Sequence, residues 1–179
     1  MDGKSAIYGY LAEYTTPESI VEAATRAYAE GYRKMDAYSP MPVEGLAEAI
    51  GFTKNRIPLL VLIGGITGAA TAYAMMYFSA VLNYPLNVGG RGLNSWPAFV
   101  PITFELTILF GSFAAVLGML GLNGLPMPYH PVFNAPGFAM ASRNRFFLCI
   151  ESRDPKFDYQ ATRAFLESLN PKSVVEVEP

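Results

Sequence analysis

Charge is missing from the middle of this sequence. No Asp, Glu, Lys or Arg occurs between Arg56 and Arg91, and between Arg91 and Arg143 the only one is Glu105. Of the 179 residues, 16% are charged and 51% hydrophobic, against about 25% charged in an average soluble domain. A middle third emptied of charge is the composition of a chain that enters lipid. Cysteine and histidine are scarce as well, with one of each, Cys149 and His130. A lone cysteine excludes an internal disulfide, and without a Cys-x-x-Cys pair neither zinc nor an iron–sulfur cluster has a ligand set. A lone histidine cannot ligate a haem on both axial sides. The formal net charge of -2 and the lack of Lys or Arg runs provide no basic field for a nucleic-acid backbone, so nucleic acid is not expected as a partner. The start, MDGKSAIYGYLAEY, has no continuous apolar core or small-residue cleavage site. A cleaved signal peptide is therefore not expected, and the first hydrophobic helix serves as its own insertion signal.

Two long apolar runs fill the uncharged region. Ile57–Leu82 and Ala98–Leu120 each exceed the roughly 20 residues needed to cross a hydrocarbon core about 30 Å thick. Pro58 and Pro101 read as start marks, since a proline in the first helical turn gives up an N–H that has no partner anyway. The link NYPLNVGGRGLNSWP is rich in Asn, Gly and Pro, which suits a loop returning the chain to an antiparallel neighbour. Tyr84 and Trp96 near its ends fit the interfacial depth that amphipathic rings prefer. Lys54, Arg56, Arg143 and Arg145 flank the hairpin on one side while the loop holds only Arg91. The bias of Lys and Arg predicts a multi-pass membrane protein with both termini in the cytoplasm. Gly64, Gly68 and Ala72 recur every four residues, and Gly111 with Ala115, or Ala114 with Gly118, repeat the spacing in the second helix. Such stripes let helix backbones approach closely, either each other or helices of other subunits.

The flanks repeat one order of elements. SAIYGYLA reads as a strand, PESIVEAATRAYAEGY as a helix with Thr16 as N-cap and Gly31 as stop, and RKMDAYSP as a second strand. Ile20, Ala24, Ala27 and Tyr28 share the apolar face of that helix. After the hairpin come a strand in RFFLCIES, a helix in FDYQATRAFLESLN with Asp158 as N-cap, and a strand in SVVEVE. Two β-α-β halves, each too small to bury a core, combine into an α+β fold: a split ferredoxin-like cytoplasmic domain with the two-helix transmembrane hairpin inserted in it. The expected organisation is residues 1–56 for the first half with a short pre-membrane helix in PVEGLAEAIG, 57–120 for the hairpin, 121–145 for a proline-rich connector and 146–179 for the second half. An even number of crossings brings both halves to the same side.

Few residues invite chemistry. Glu105 is an ionisable side chain inside an apolar helix, where a carboxylate is costly unless it faces protein or water. It is a candidate proton relay or interhelix contact, with Thr103 and Thr107 close by on either side. Pro128, Tyr129, His130 and Pro131 lie where closely spaced prolines force an extended path, and form either a segment that docks on a partner or a stiff linker. Cys149 lies in a strand and reads as a small apolar core residue. NVGGRG does not follow a strand and open a helix, so it is no phosphate-binding loop. No catalytic constellation and no metal site is found, and the missing Cys-x-x-Cys argues against a metal-delivery protein.

The GYLAEYTTPESIVEAA start, the helix containing PITFELTILF and the following LPMPYHPVFN resemble the ActD family of alternative complex III over nearly the whole chain. The most specific elements are Phe104-Glu105-Leu106-Thr107 and Pro126 through Asn134. The resemblance implies an accessory subunit of a quinol:electron acceptor oxidoreductase of a respiratory or photosynthetic chain. It also implies that haem c, iron–sulfur clusters and menaquinol belong to partner subunits, and that this chain contacts membrane and cytochrome or iron–sulfur subunits and the lipid bilayer. It fixes no role for Glu105 or for the Pro128–Pro131 segment.

Overall fold

A computed structural model describes residues 7–179, and the chain forms a mixed assembly of helix and sheet. It divides into two units, one comprising Met1–Thr53 and Pro128–Pro179, the other Lys54–Met127.

The first unit carries a four-stranded sheet. Its strands are β1 (Gly9–Tyr14), β2 (Met35–Tyr38), β3 (Phe146–Glu151) and β4 (Ser173–Val177), in the spatial order β2-β3-β1-β4. Each neighbouring pair is antiparallel, with Leu11 opposite both Cys149 and Val175, and Asp36 opposite Cys149. The two central strands therefore come one from each side of the hairpin in sequence. At Gly9 a Cβ would lie 2.2 Å from the Ile150 carbonyl oxygen, so only glycine lets β1 sit this close to β3.

Helix α1 (Pro17–Glu30) begins where local chemistry dictates. The Thr16 side chain accepts from the Ser19 N–H, Pro17 opens the first turn, and Gly31 ends the helix in the left-handed region at φ 112°. Helix α2 (Leu46–Ala49) is a single turn, and the later helix α5 (Tyr159–Ser168) starts at Asp158, which accepts from the Gln160 and Ala161 N–H groups. One sheet face buries Tyr10, Ala12, Tyr14, Leu148 and Ile150 against Ile20, Ala23, Ala24 and Ala27 of α1 and Leu166 of α5. Tyr28 departs from the expected apolar face. It is 38% exposed and lies under the Arg33 guanidinium, 3.9 Å from the ring centre, because a cation over an aromatic face is favourable in water as burial is in the core. Ala23 takes the buried position instead.

The opposite sheet face is also covered. Leu11, Phe147, Cys149 and Val177 pack against Val132, Ala135 and Phe138. These come from the proline-rich segment, which forms two 3-10 turns, Pro131–Asn134 and Phe138–Ser142. Strand β3 is consequently buried at every position.

The second unit is a helical hairpin. Helix α3 spans Ile57–Tyr77 and continues as a π-helical turn over Phe78–Asn83, and α4 (Trp96–Leu122) returns. Both are long and apolar enough to cross a membrane. Helix α4 starts two residues earlier than the sequence suggested, with Pro97 in the first turn, so Pro101 stands inside the helix and is not a start mark. At that position its ring removes the bond that would reach the Pro97 carbonyl.

Candidate functional site

The small-residue stripe of α3 faces α4. A Cβ on Gly64 would meet the Ala114 Cβ at 2.6 Å and the Phe110 carbonyl oxygen at 2.9 Å. One on Gly68 would meet the Leu106 carbonyl oxygen at 2.3 Å, and Ala72 is fully buried. The absence of side chains thus brings backbone against backbone, where dispersion forces do the packing. On α4, a Cβ on Gly111 would lie 3.8 Å from Val61, and Gly111 and Ala115 line one flank of an apolar groove of about 570 Å³ shared with Gly65 and Ala69 of α3.

Thr107 and Thr103 sit at the edge of this packing. The Thr107 hydroxyl donates to the Thr103 carbonyl at 2.6 Å, which satisfies it within its own helix and leaves nothing to offer Glu105. Glu105 is exposed on the hairpin surface. Among the described residues no hydrogen bond or ion pair engages its carboxylate. Leu106, Phe110, Ala114 and Gly118 mark the side of α4 turned towards α3, and Glu105 lies about 160° from their mean direction at 3.6 residues per turn. The carboxylate points out of the hairpin.

The Pro128–Pro131 segment belongs to the first unit, and each polar member is anchored there. The Tyr129 hydroxyl donates to the Pro179 carbonyl at 3.4 Å and receives the Asn134 side-chain amide. Pro131 opens the turn that buries Val132. His130 links two layers: its Nδ1 accepts from the Val132 N–H at 3.4 Å, and its Nε2 lies 3.4 Å from the Tyr8 hydroxyl. An accepting Nδ1 puts the proton of a neutral ring on Nε2, which then donates to Tyr8. Tyr8 in turn donates to Glu151 at 3.2 Å, and Arg153 closes the chain on Glu151. Glu151 is buried. Burial first and the Glu151 charge second push the Tyr8 phenol well above its ordinary pKa, so it remains a donor at any working pH. Beside this relay a groove of about 560 Å³ is lined by Tyr38, Ser39, His130, Phe133 and Ser142.

Sequence reasoning did not find Tyr8, Glu151 or Arg153, nor Asp154. The buried Asp154 carboxylate accepts from the Arg33 N–H and the Lys34 N–H, both at 2.6 Å, and from the Lys156 N–H at 2.8 Å. Burial alone would raise its pKa, but the backbone donations from Lys34, Arg33 and Lys156 outweigh it and hold the carboxyl below its ordinary value. A visible signal was FFLCI: five apolar residues without alternation indicate a strand covered on both faces, and the connector supplies the second cover.

Cys149 is buried in β3, with its thiol pushed up by burial, and among the described residues no group of three or more His, Cys, Asp or Glu is placed to hold a metal ion.

A mixed helix-and-sheet unit joined to a hairpin of two potentially membrane-crossing helices defines a membrane-associated protein with one apolar and one polar body. The family described as alternative complex III, ActD subunit, matches residues 8–176, and the chain belongs to it. It is therefore a subunit of alternative complex III, and its natural setting is a multi-subunit complex. A comparison with curated proteins gives no match.

Proposed function

We propose that this chain is a cofactor-free structural subunit that supports assembly of a quinol-oxidising complex and makes no catalytic contribution of its own. The observation that carries the reading is the bareness of the hairpin. In the most apolar window of each helix only 11% and 6% of residues are buried within the chain, so most of that apolar surface is free for lipid and for larger membrane subunits. Haem c, iron–sulfur clusters and menaquinol reside in the partners under this reading, as the shortage of ligands here suggests. The hairpin spans the bacterial inner membrane with both termini in the cytoplasm, and the sheet unit is a cytoplasmic split ferredoxin-like domain. Its strand order β2-β3-β1-β4, with a helix joining each β-α-β pair, supports that fold.

The test is gentle solubilisation of the native membrane, capture through a tag on this chain, and mass spectrometry with haem staining. Co-purified multi-helix subunits together with haem- and iron–sulfur-bearing partners are expected. Recovery of the chain alone would refute the subunit role. A second reading, direct participation in proton translocation, draws on the unpaired Glu105. Glu105→Gln separates the two, since a relay predicts an intact complex with impaired proton movement, whereas a structural contact predicts weakened assembly.

A further inference from the structure

The two faces of α4 are unequal, and the inequality specifies a neighbour. One face is occupied by α3 through Leu106, Phe110, Ala114 and Gly118. The other carries Glu105, Ile108, Ser112 and Ala115, spaced by three, four and three, which is the seam along which a second helix packs at a shallow angle. Ile108, Ser112 and Ala115 also line the apolar groove whose α3 side is Gly65 and Ala69. Gly65, Ala69, Gly111, Ser112 and Ala115 make one part of that lining small, beside the bulkier Val61, Leu62, Ile66 and Ile108, so a helix backbone can approach closely along the small residues. Among the described residues none occupies it.

Glu105 states the chemistry of the occupant. It lies about 14 Å along the helix from Trp96 at 1.5 Å per residue, inside a hydrocarbon core about 30 Å thick. A carboxylate left to lipid at helix mid-depth costs the equivalent of about a hundredfold in the insertion equilibrium. Neither Thr103, Thr107 nor any other described residue relieves that cost. Resting on the reading that the hairpin spans the membrane within a larger complex, we propose that the groove between α3 and α4 receives one transmembrane helix of a partner protein of that complex, which presents a Lys or Arg side chain to Glu105. The basic group and the groove would act together, the charge setting register along the seam and the small residues setting distance. Lipid cannot do both, because acyl chains offer no donor.

The experiment uses the tagged chain in its native membrane. A photo-reactive amino acid is placed in turn at Ile108 and Ser112, on the proposed seam, and at Phe113 and Leu117, which are exposed on another flank. Crosslinks from Ile108 and Ser112 to one membrane protein of the complex are expected, mapped to a helix with a Lys or Arg at the depth of Glu105, and few from Phe113 or Leu117. Glu105→Lys is expected to lower recovery of that partner at least about tenfold, and Glu105→Gln to lower it less. Crosslinks confined to Phe113 and Leu117, or protein crosslinks absent from Ile108 and Ser112 while partners still co-purify, would overturn the inference and leave the subunit role standing. Full recovery with Glu105→Lys would overturn the charge pairing. Loss of every partner from the unsubstituted chain would instead overturn the subunit role on which the inference rests.

Discussion

Replacing Asp154 by alanine is expected to loosen the whole sheet, although the residue lies outside every helix and strand. Its carboxylate ties the entry to β2, through Arg33 and Lys34, to the turn that follows β3. Alanine strands three N–H donors, each worth about 1–3 kcal/mol when left without a partner in a buried setting. Arg33 and Lys34 are exposed residues, so water recovers part of that loss, and a net cost of about 2–4 kcal/mol is reasonable. Fluorescence would not report it, because the only tryptophan, Trp96, belongs to the hairpin unit. Hydrogen exchange of the β1 and β3 amides in the detergent-solubilised full chain would. Their exchange by cooperative opening should accelerate by about thirty- to several-hundredfold, at 1.4 kcal/mol for each tenfold. Asp154→Asn, which keeps one acceptor oxygen but no charge, should fall between. Acceleration below about twofold in the alanine variant would refute the argument that these three bonds hold the halves together.

Other outcomes are as specific. The Asp154 carboxyl is held below its ordinary value of 3.8, so its contribution is complete above that pH and is lost as pH falls through the lower folded value. Near-UV dichroism should show the acid transition steepened in the native chain relative to Asp154→Asn. Gly68→Leu, which drives a side chain into the Leu106 carbonyl, should separate α3 from α4, whereas Gly121→Ala, with nothing within 4 Å of its Cβ position, should be silent; disulfide trapping between engineered cysteines on the two helices reads the difference. The Cys149 thiol is buried, and burial pushes its pKa up, so a thiol reagent should leave it untouched at pH 8 until denaturant opens the sheet. Leu148→Ala, at a fully buried position of the central strand, should cost about 2–5 kcal/mol by the same exchange measurement.

Much of the secondary structure was legible because its causes are local. Thr16, Pro17 and Gly31 delimit α1, and Asp158 starts α5, through hydrogen bonds that close within a few residues. The apolar runs of α3 and α4 were legible because the length needed to cross a bilayer can be counted in residues. What stayed hidden depends on contacts between distant residues. Nothing in RDPK reveals that Asp154 reaches Arg33, and nothing in PYHPVFNAPGF reveals that Val132 and Phe138 cap the far face of the sheet. Pro101 misled because a proline marks a helix start only when no better one precedes it, and Pro97 does. Glu105 was conspicuous in the sequence as a charge in an apolar run, but its direction, away from α3, emerges only from where the small residues of α3 meet α4.

The order of the sheet also has a consequence for biogenesis. Among the described residues, strand β1 pairs with β3 and β4 alone, and β2 with β3 alone. Until the ribosome has delivered the residues beyond Phe146, the first two strands have no partner and present bare edges of the kind that invite aggregation. The hairpin is synthesised in that interval. Closure of the sheet therefore comes only after both long helices have been made. Such open edges offer a quality-control protease or chaperone a way to distinguish a finished chain from a stalled one.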